Sequence, residues 1–436
     1  MKISLGPSCI LLIAAHVILT TGITFYLRHQ AFAWVSCLVF VLKAGDWAPF
    51  SKNPSSYYRE FNVYLYTSVQ ILNFCIYLSK RRKSGEIKSF DFRLILNYLE
   101  YLLYPMYSTV LIVLFEDFQS QMDSLRSKIA QGNSPIIPSV RCILWQSIRL
   151  VFWFVFLECF LHLCGVNAYF NSPFTMLSGL HNYEKASIAY VAGQFFHVKY
   201  VFIFGLPRMF ALIDGLTPPG PAICISRVSK YSQMWRYFDQ GLYQFLKNQV
   251  YIPLMKSPDS NSERTVFFIL RRFGAMIAVF LFVLTWHGLS SNYFYWVCLS
   301  ALELCIERLG RELIQQRSWW QKIKDQIGRA NELRLTAIAM NATVIPGIFG
   351  VFFFLGKTGI GDHIFQRVLM DGAKKMMSPW TIQWFDEGFV MLHLLSLGYC
   401  FNHVCLYLEH AMPPNKKSLE NAQRSERRDP EEKKVK

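Results

Sequence analysis

Charge is what this sequence has least of. Charged residues fill 17% of its 436 positions, while 53% are hydrophobic and 16% aromatic, against about 25% charged in a soluble domain. That shortfall excludes a two-domain soluble protein and leaves a polytopic membrane protein. Acidic residues are scarcer than basic ones, 29 against 45, so the net charge is +16. A nucleic-acid binder is excluded nonetheless, because the cations come in short clusters flanking apolar runs, where the positive-inside rule puts them. Close-spaced cysteine pairs are missing too: the 11 cysteines are scattered, mostly in apolar segments, so they read as packed thiols and not as a zinc site. There is no glycine-rich phosphate loop, no repeat of solenoid period and no serine or cysteine nucleophile elbow.

What is present is a succession of apolar runs. Ile10 to Tyr26 is bounded by Lys2 and by Arg28-His29. With no small-residue cleavage site after it, it reads as a first transmembrane helix and not as a signal peptide. Ala31 to Leu42 is too short to cross alone and reads as re-entrant, and Asp46 to Arg59 as a polar loop broken by Pro49 and Pro54. Phe61 to Leu78 reads as a span stopped by Lys80-Arg81-Arg82-Lys83, which marks a cytosolic face. Phe92 to Phe118 reads as another, with Tyr98, Tyr101, Tyr104 and Pro105 in its first half, and Gln119 to Ser139 as an amphipathic surface segment.

Cys142 to Phe170 and Ile188 to Leu212 are the next spans. The second carries Gln194, His197, Lys199 and Arg208, polar groups that must face protein or water; His197 by itself reads as a core histidine. After Val266 to Trp286 comes the short run Tyr293 to Ile306, with Glu303 and Glu307 toward its exit. Glu307 to Arg334, with Trp319 and Trp320 among basic residues, suits a helix at the headgroup level. Leu335 to Leu355 and Phe389 to Leu408 complete nine to eleven membrane-embedded segments. His393, His403 and His410 along the last read as packing residues. The tail, Pro413 to Lys436, is polar enough to be disordered, and Lys433-Lys434 near its end look like a dilysine retrieval signal. Such a signal implies the endoplasmic reticulum membrane and a cytosolic C-terminus. The expected organisation is therefore one multi-span domain over residues 1–412 and a tail over 413–436.

The stretch around which the chain is organised runs from Cys224 to Pro253. It follows the breaker Leu216-Thr217-Pro218-Pro219-Gly220-Pro221 and precedes a polar loop, Lys256 to Arg264. Trp235, Phe238, Leu242, Phe245 and Leu246 recur at helical spacing, with Arg236, Asp239, Gln240 and Gln244 opposite. The stripe is too short and too charged to span a bilayer, so the segment is expected inside a membrane protein, packed or lining a cavity. The following run, interrupted by Arg271 and Arg272, delivers His287-Gly288 at its far end. One helix out and one back can then bring Asp239 and His287 together, a carboxylate and an imidazole suited to acid–base chemistry. The bland readings are a helix-capping aspartate and a core histidine.

At these residues, MWRYFDQGLYQFLKNQVYIP followed by TWHG, the chain resembles the membrane-bound O-acyltransferase family. The strong part of the likeness covers about Ala192 to Glu307. Asp239, where several relatives have Asn, and the flanking Trp235-Arg236-Tyr237-Phe238 favour the hedgehog acyltransferase branch, the protein-cysteine N-palmitoyltransferases. The resemblance implies an all-α polytopic fold around a catalytic tunnel with re-entrant segments, the donor arriving from the cytosol and the acceptor from the lumen. It implies palmitoyl-CoA as donor, the N-terminal cysteine of a secreted hedgehog-like signalling protein as acceptor, His287 as base and Asp239 as its partner. It further implies Cys224 as a thiolate ligand of haem b, although the local spacing by itself reads as a packed thiol. Relatives place a Gly-Pro pair where Val110-Leu111 stand here, a departure that bears on the shape of the substrate path. A lipid O-acyltransferase of the same fold, acting on a lysophospholipid or glycerol derivative, is the alternative, and a non-enzymatic paralogue or transporter the third class.

Overall fold

A computed structural model describes residues 5–132, 138–165, 168–169, 176, 178–255, 265–315, 317–356 and 359–411. The tail with Lys433-Lys434, the loop Lys256 to Arg264 and the side chain of His410 lie outside the described residues. No β-strand occurs among the described residues, in keeping with an all-α fold. Six helical stretches there are long and apolar enough to cross a membrane: Pro7–Leu27, Val140–Cys164, Asn182–Ile213, Leu270–His287, Ser318–Leu355 and Glu387–Glu409. The chain divides into two compact units.

The first unit comprises Met1–Asn171, Val191–Ala222 and Trp235–Cys298. Its helices α1 (Pro7–Leu27) and α3 (Pro54–Lys83) run side by side in parallel. At one end the Gly6 N–H donates to Glu60 Oε1 at 2.9 Å, and at the other the Ser79 hydroxyl donates to the Arg28 carbonyl at 3.2 Å. Between them α2 spans Ala31–Trp47. Pro54, expected as a breaker, instead opens α3, since proline lacks only an N–H that is unpaired in a first turn anyway. Asn53 caps the same turn by accepting from Ser55 N at 3.1 Å. Tyr57 to Arg59 are therefore helical and the polar loop is shorter than expected.

The stretch Phe92 to Phe118 is not one span. It divides into α4 (Phe92–Leu103), α5 (Pro105–Ser108) and, after the buried non-helical residues Leu111 to Leu114, α6 (Phe115–Ala130). Pro105 withdraws a helical hydrogen bond, and the freed backbone finds side-chain partners. The Tyr101 hydroxyl donates to the Val113 carbonyl at 2.6 Å, and Gln70 Nε2 to the Tyr101 carbonyl at 2.8 Å. Around them Phe74, Tyr98, Tyr107, Phe115, Phe118 and Phe204 form an aromatic core, with Phe74 stacked on Tyr98 at 3.6 Å. The span α7 (Val140–Cys164) and the long helix α8 (Asn182–Ile213) follow.

The second unit comprises Ser172–Tyr190, Ile223–Met234 and Leu299–Lys436. Amide side chains join its late helices where lipid offers no water to pair them. Asn402 Nδ2 donates to the Ala337 carbonyl and to Asn341 Oδ1, both at 3.0 Å, and Asn341 Nδ2 donates to the Leu395 carbonyl at 2.9 Å. Gly328, at φ 74, interrupts the helical Ser318–Ala339, and Met340 separates that helix from Asn341–Leu355. One continuous helical run over Ile360–Ile364, the π-helical Phe365–Met370 and Asp371–Met376, absent from the sequence reading, packs on the last helix.

Candidate functional site

The central segment, expected as a single amphipathic helix, is broken. A 3-10 turn at Ile225–Arg227 precedes α9 (Tyr231–Tyr237), and after Phe238 and Asp239 the chain restarts as α10 (Gln240–Phe245). Asp239 causes the restart: its backbone is extended (φ −120, ψ 90) and its carboxylate accepts from Leu242 N at 2.9 Å. That is an N-cap, one of the few arrangements that satisfy an orphan helical N–H. A π-helical stretch, Leu246–Tyr251, then carries the segment into Ile252–Met255; such widened turns concentrate at functional sites.

His287 is the last residue of α12, which we number after the short helix α11 (Ile252–Met255) and which spans Thr265–His287. Gly288 ends it in the left-handed region at φ 105, its N–H donating to the Leu284 carbonyl at 3.0 Å; only glycine takes that conformation without steric cost. The imidazole meets two rings, edge-on to Trp296 at 5.1 Å and tilted to Tyr293 at 5.9 Å. Trp296 stacks on Trp235 of α9 at 5.8 Å, and Trp235 meets Phe280 of α12 edge-on at the same distance. On the neighbouring position Trp286 meets Tyr66 of α3 edge-on at 5.4 Å. Tyr66 and Tyr200 are also the electrostatic neighbours of Asp239. A cavity of about 310 Å³, lined by Leu284, Leu289, Ser290, Ser291, Phe294 and Tyr295, opens at the turn that follows His287.

Asp239 and His287 each lie among aromatic residues of the first unit, and each is partly exposed. The Asp239 carboxylate accepts from the backbone N–H of Leu242 and so caps α10.

Cys224 lies in the second unit, exposed, at the start of the 3-10 turn and within electrostatic reach of Cys405. One accessible thiol meets the donor requirement of an axial iron ligand. No trio of His, Cys, Asp or Glu converges to hold a metal ion among the described residues. His197 is buried beside Phe238, ring centroids 6.3 Å apart. His393 Nδ1 pairs with the Tyr183 hydroxyl at 2.7 Å, and His403 packs on Tyr399.

Sequence reasoning gave no role to the residues that anchor the start of α9. Glu307 accepts from the Ser232 N–H at 2.9 Å and from the Ser232 hydroxyl. Lys230 pairs with Glu409 at 2.7 Å, Gln233 Nε2 donates to Glu409 at 3.0 Å, and the Tyr231 and Ser300 hydroxyls bond at 3.0 Å. Glu303 is buried beside Tyr231 and Gly347. These partners lie up to 179 positions apart, and no local pattern announces such pairs.

Comparison with known proteins adds the family. The chain is 30% identical over 227 residues to the protein-cysteine N-palmitoyltransferase Rasp of Drosophila melanogaster, covering 52% of this chain and 44% of the relative. It is 28% identical over 322 residues to the protein-cysteine N-palmitoyltransferase HHAT of Mus musculus, covering 74% and 58% respectively. Its identity to the membrane-bound O-acyltransferase gup1 of Schizosaccharomyces pombe is 27% over 306 residues, 67% of this chain and 48% of the relative. The matched regions span about half the length of these curated relatives. The profile of MBOAT, the membrane-bound O-acyltransferase family, matches residues 10–334, which contain the capped central segment, Asp239 and His287, and the chain therefore belongs to that family.

Proposed function

We propose that the chain is an acyltransferase that moves palmitate from palmitoyl-CoA to the N-terminal cysteine of a secreted, hedgehog-like protein. The observation that carries the reading is the placement of His287. It closes a membrane-spanning helix, is walled by Tyr293 and Trp296, and has a cavity at the turn beside it. In the reaction the acceptor's α-amine attacks the thioester carbonyl carbon. An N–C bond forms, the C–S bond breaks, and the proton leaving nitrogen passes through His287 to the departing sulfur. The nucleophile belongs to the substrate, so none is needed from the chain. Asp239 holds the incoming amine through the oxygen lone pairs its cap leaves free. The donor reaches this point from the cytosol through a tunnel and the acceptor from the lumen, in an endoplasmic reticulum membrane with the C-terminus cytosolic.

The likeness to two protein-cysteine N-palmitoyltransferases favours a protein acceptor. The likeness to gup1 keeps lipid O-acylation as the second reading. Membranes containing the chain, given labelled palmitoyl-CoA with a cysteine-led peptide and a lysophospholipid side by side, separate the two. Label on the peptide alone supports protein acylation, and label on the lipid alone rejects it. Asp239→Asn keeps a capping oxygen and should fold like the parent while turnover falls. Asp239→Ala should also lose about 0.5–2 kcal/mol of stability, the usual worth of a cap. Thermal unfolding in detergent, measured beside turnover, distinguishes the two losses.

Cys224 would hold haem b by its one exposed thiolate, and the group would brace the start of the central segment. Purified protein should then show a Soret band that Cys224→Ala removes; a colourless, fully active preparation rejects the cofactor.

A further inference from the structure

The sharpest surface feature outside the site is a small aromatic loop in the second unit. It joins α17 (Asp371–Met376, preceded by α13 (Ser291–Gly310), α14 (Ser318–Ala339), α15 (Asn341–Leu355) and α16 (Ile360–Ile364)) to the last span, α18 (Glu387–Ala411). Within about ten positions Met377, Trp380, Trp384 and Phe385 are 68–86% exposed. These side chains are held outward and are not merely loose. Asp386 accepts from the backbone N–H groups of Gln383 and Phe389, both at 2.8 Å, and pairs with Lys375 at 3.4 Å. Gly388 lies so close to Lys375 and Ile382 that a Cβ there would meet them at 2.7 and 3.0 Å. Phe385 sits in the left-handed region at φ 66, a strained position for a bulky residue that persists only where the surroundings impose it. Its ring meets Tyr183 at 5.9 Å and Phe389 at 6.2 Å.

We propose that this loop is a membrane-interface anchor: Trp380, Trp384 and their apolar neighbours insert among the headgroups at the N-terminal end of the last span. Two observations locate the lipid boundary there. The span Glu387–Glu409 begins immediately after the loop, and the span Asn182–Ile213 begins beside it, with Tyr183 against Phe385, Phe389 and His393. Tryptophan is the side chain most at home at that depth, with an apolar body and a single N–H for the wet side. Charge selects the kind of lipid. From Arg367 to Glu387 the cations Arg367, Lys374 and Lys375 are balanced by Asp371, Asp386 and Glu387, and all but Glu387 take part in ion pairs within the set. The contact is therefore with zwitterionic headgroups and is driven by the aromatic rings, not by anionic lipid.

The test compares the full chain with the Trp380→Phe/Trp384→Phe variant in phosphatidylcholine nanodiscs. The difference between their emission spectra isolates the two tryptophans. It should be blue-shifted from tryptophan in water and quenched about twofold or more by lipid carrying a doxyl group high in its acyl chain. Aqueous iodide should quench it weakly, and adding anionic lipid should leave it unchanged. A difference spectrum with the emission of tryptophan in water, quenched by iodide and not by doxyl lipid, overturns the proposal and marks the loop as a protein-docking surface. Dependence on anionic lipid overturns the headgroup assignment.

Discussion

Replacing His287 with alanine is expected to lower acyl transfer by about 10²–10⁴-fold, the range that general-base help supplies, with palmitoyl-CoA binding near the parental value. The α-amine of a peptide (pKa about 7.7–8.0) must give up a proton as its nitrogen bonds to the thioester carbon. His287 is held for this by Gly288, which ends the helix, and by its contacts with the rings of Tyr293 and Trp296. The fold should survive: the side chain is partly exposed, at a helix end, and single substitutions of that kind cost about 0.5–3 kcal/mol. The measurement is turnover of a cysteine-led peptide at matched expression, with donor binding read separately. A variant that binds donor normally and still acylates the peptide at the parental rate would remove His287 from the chemistry.

The second large effect is expected at Gly241, two residues beyond Asp239. A Cβ at this position would stand 2.3 Å from the carbonyl oxygen of Ile112 and 3.1 Å from its nitrogen. Both are backbone atoms of the buried non-helical stretch Leu111 to Leu114, so no side chain can swing away. Gly241→Ala must push α10 off that stretch or distort one of them, at a cost of about 1–3 kcal/mol or more, and the shift carries the Asp239 cap with it. Folded yield and turnover should therefore fall together. Two controls separate crowding from the loss of a glycine as such. Gly274 has nothing within 4 Å of a Cβ, and at Gly220 the clash is with the flexible end of Gln240. Gly274→Ala should be neutral or slightly stabilising, as a glycine-to-alanine change in an open helix is, and Gly220→Ala should be mild. Thermal unfolding of the three variants in one detergent ranks them; Gly241→Ala as stable as Gly274→Ala would contradict the close approach.

Both positions show how far the chain could be read without its structure. Asp239 and His287 stood out because ionisable groups between apolar runs are costly unless placed for a purpose. The aromatic rings that surround each of them came from elsewhere. Trp296, Trp235, Phe280 and Tyr66 belong to four different elements, and hydropathy records that they are apolar without recording what they touch. The same blindness made one span of Phe92 to Phe118. A buried extended stretch and a buried helix have equal hydropathy, and what distinguishes them here are tertiary contacts, the Tyr101 hydroxyl on the Val113 carbonyl and Ile112 against Gly241. The helical run from Ile360 to Met376 went unread because its polar and apolar residues alternate without a clear period.

By itself the sequence determined what solvent the protein faces and, at a few positions, where a helix begins or stops. Scarce charge and long apolar runs require a bilayer, because backbone groups in lipid must be paired within helices. Asn53-Pro54, Asp239 and Gly288 set helix ends through local chemistry that needs no distant partner. Tertiary structure alone decided which side chains meet. Lys230 finds Glu409, Ser232 finds Glu307 and Gly241 finds Ile112 because packing brings together residues separated by tens to hundreds of positions. A long-range contact depends on how every intervening element turns, and no window of sequence contains that sum.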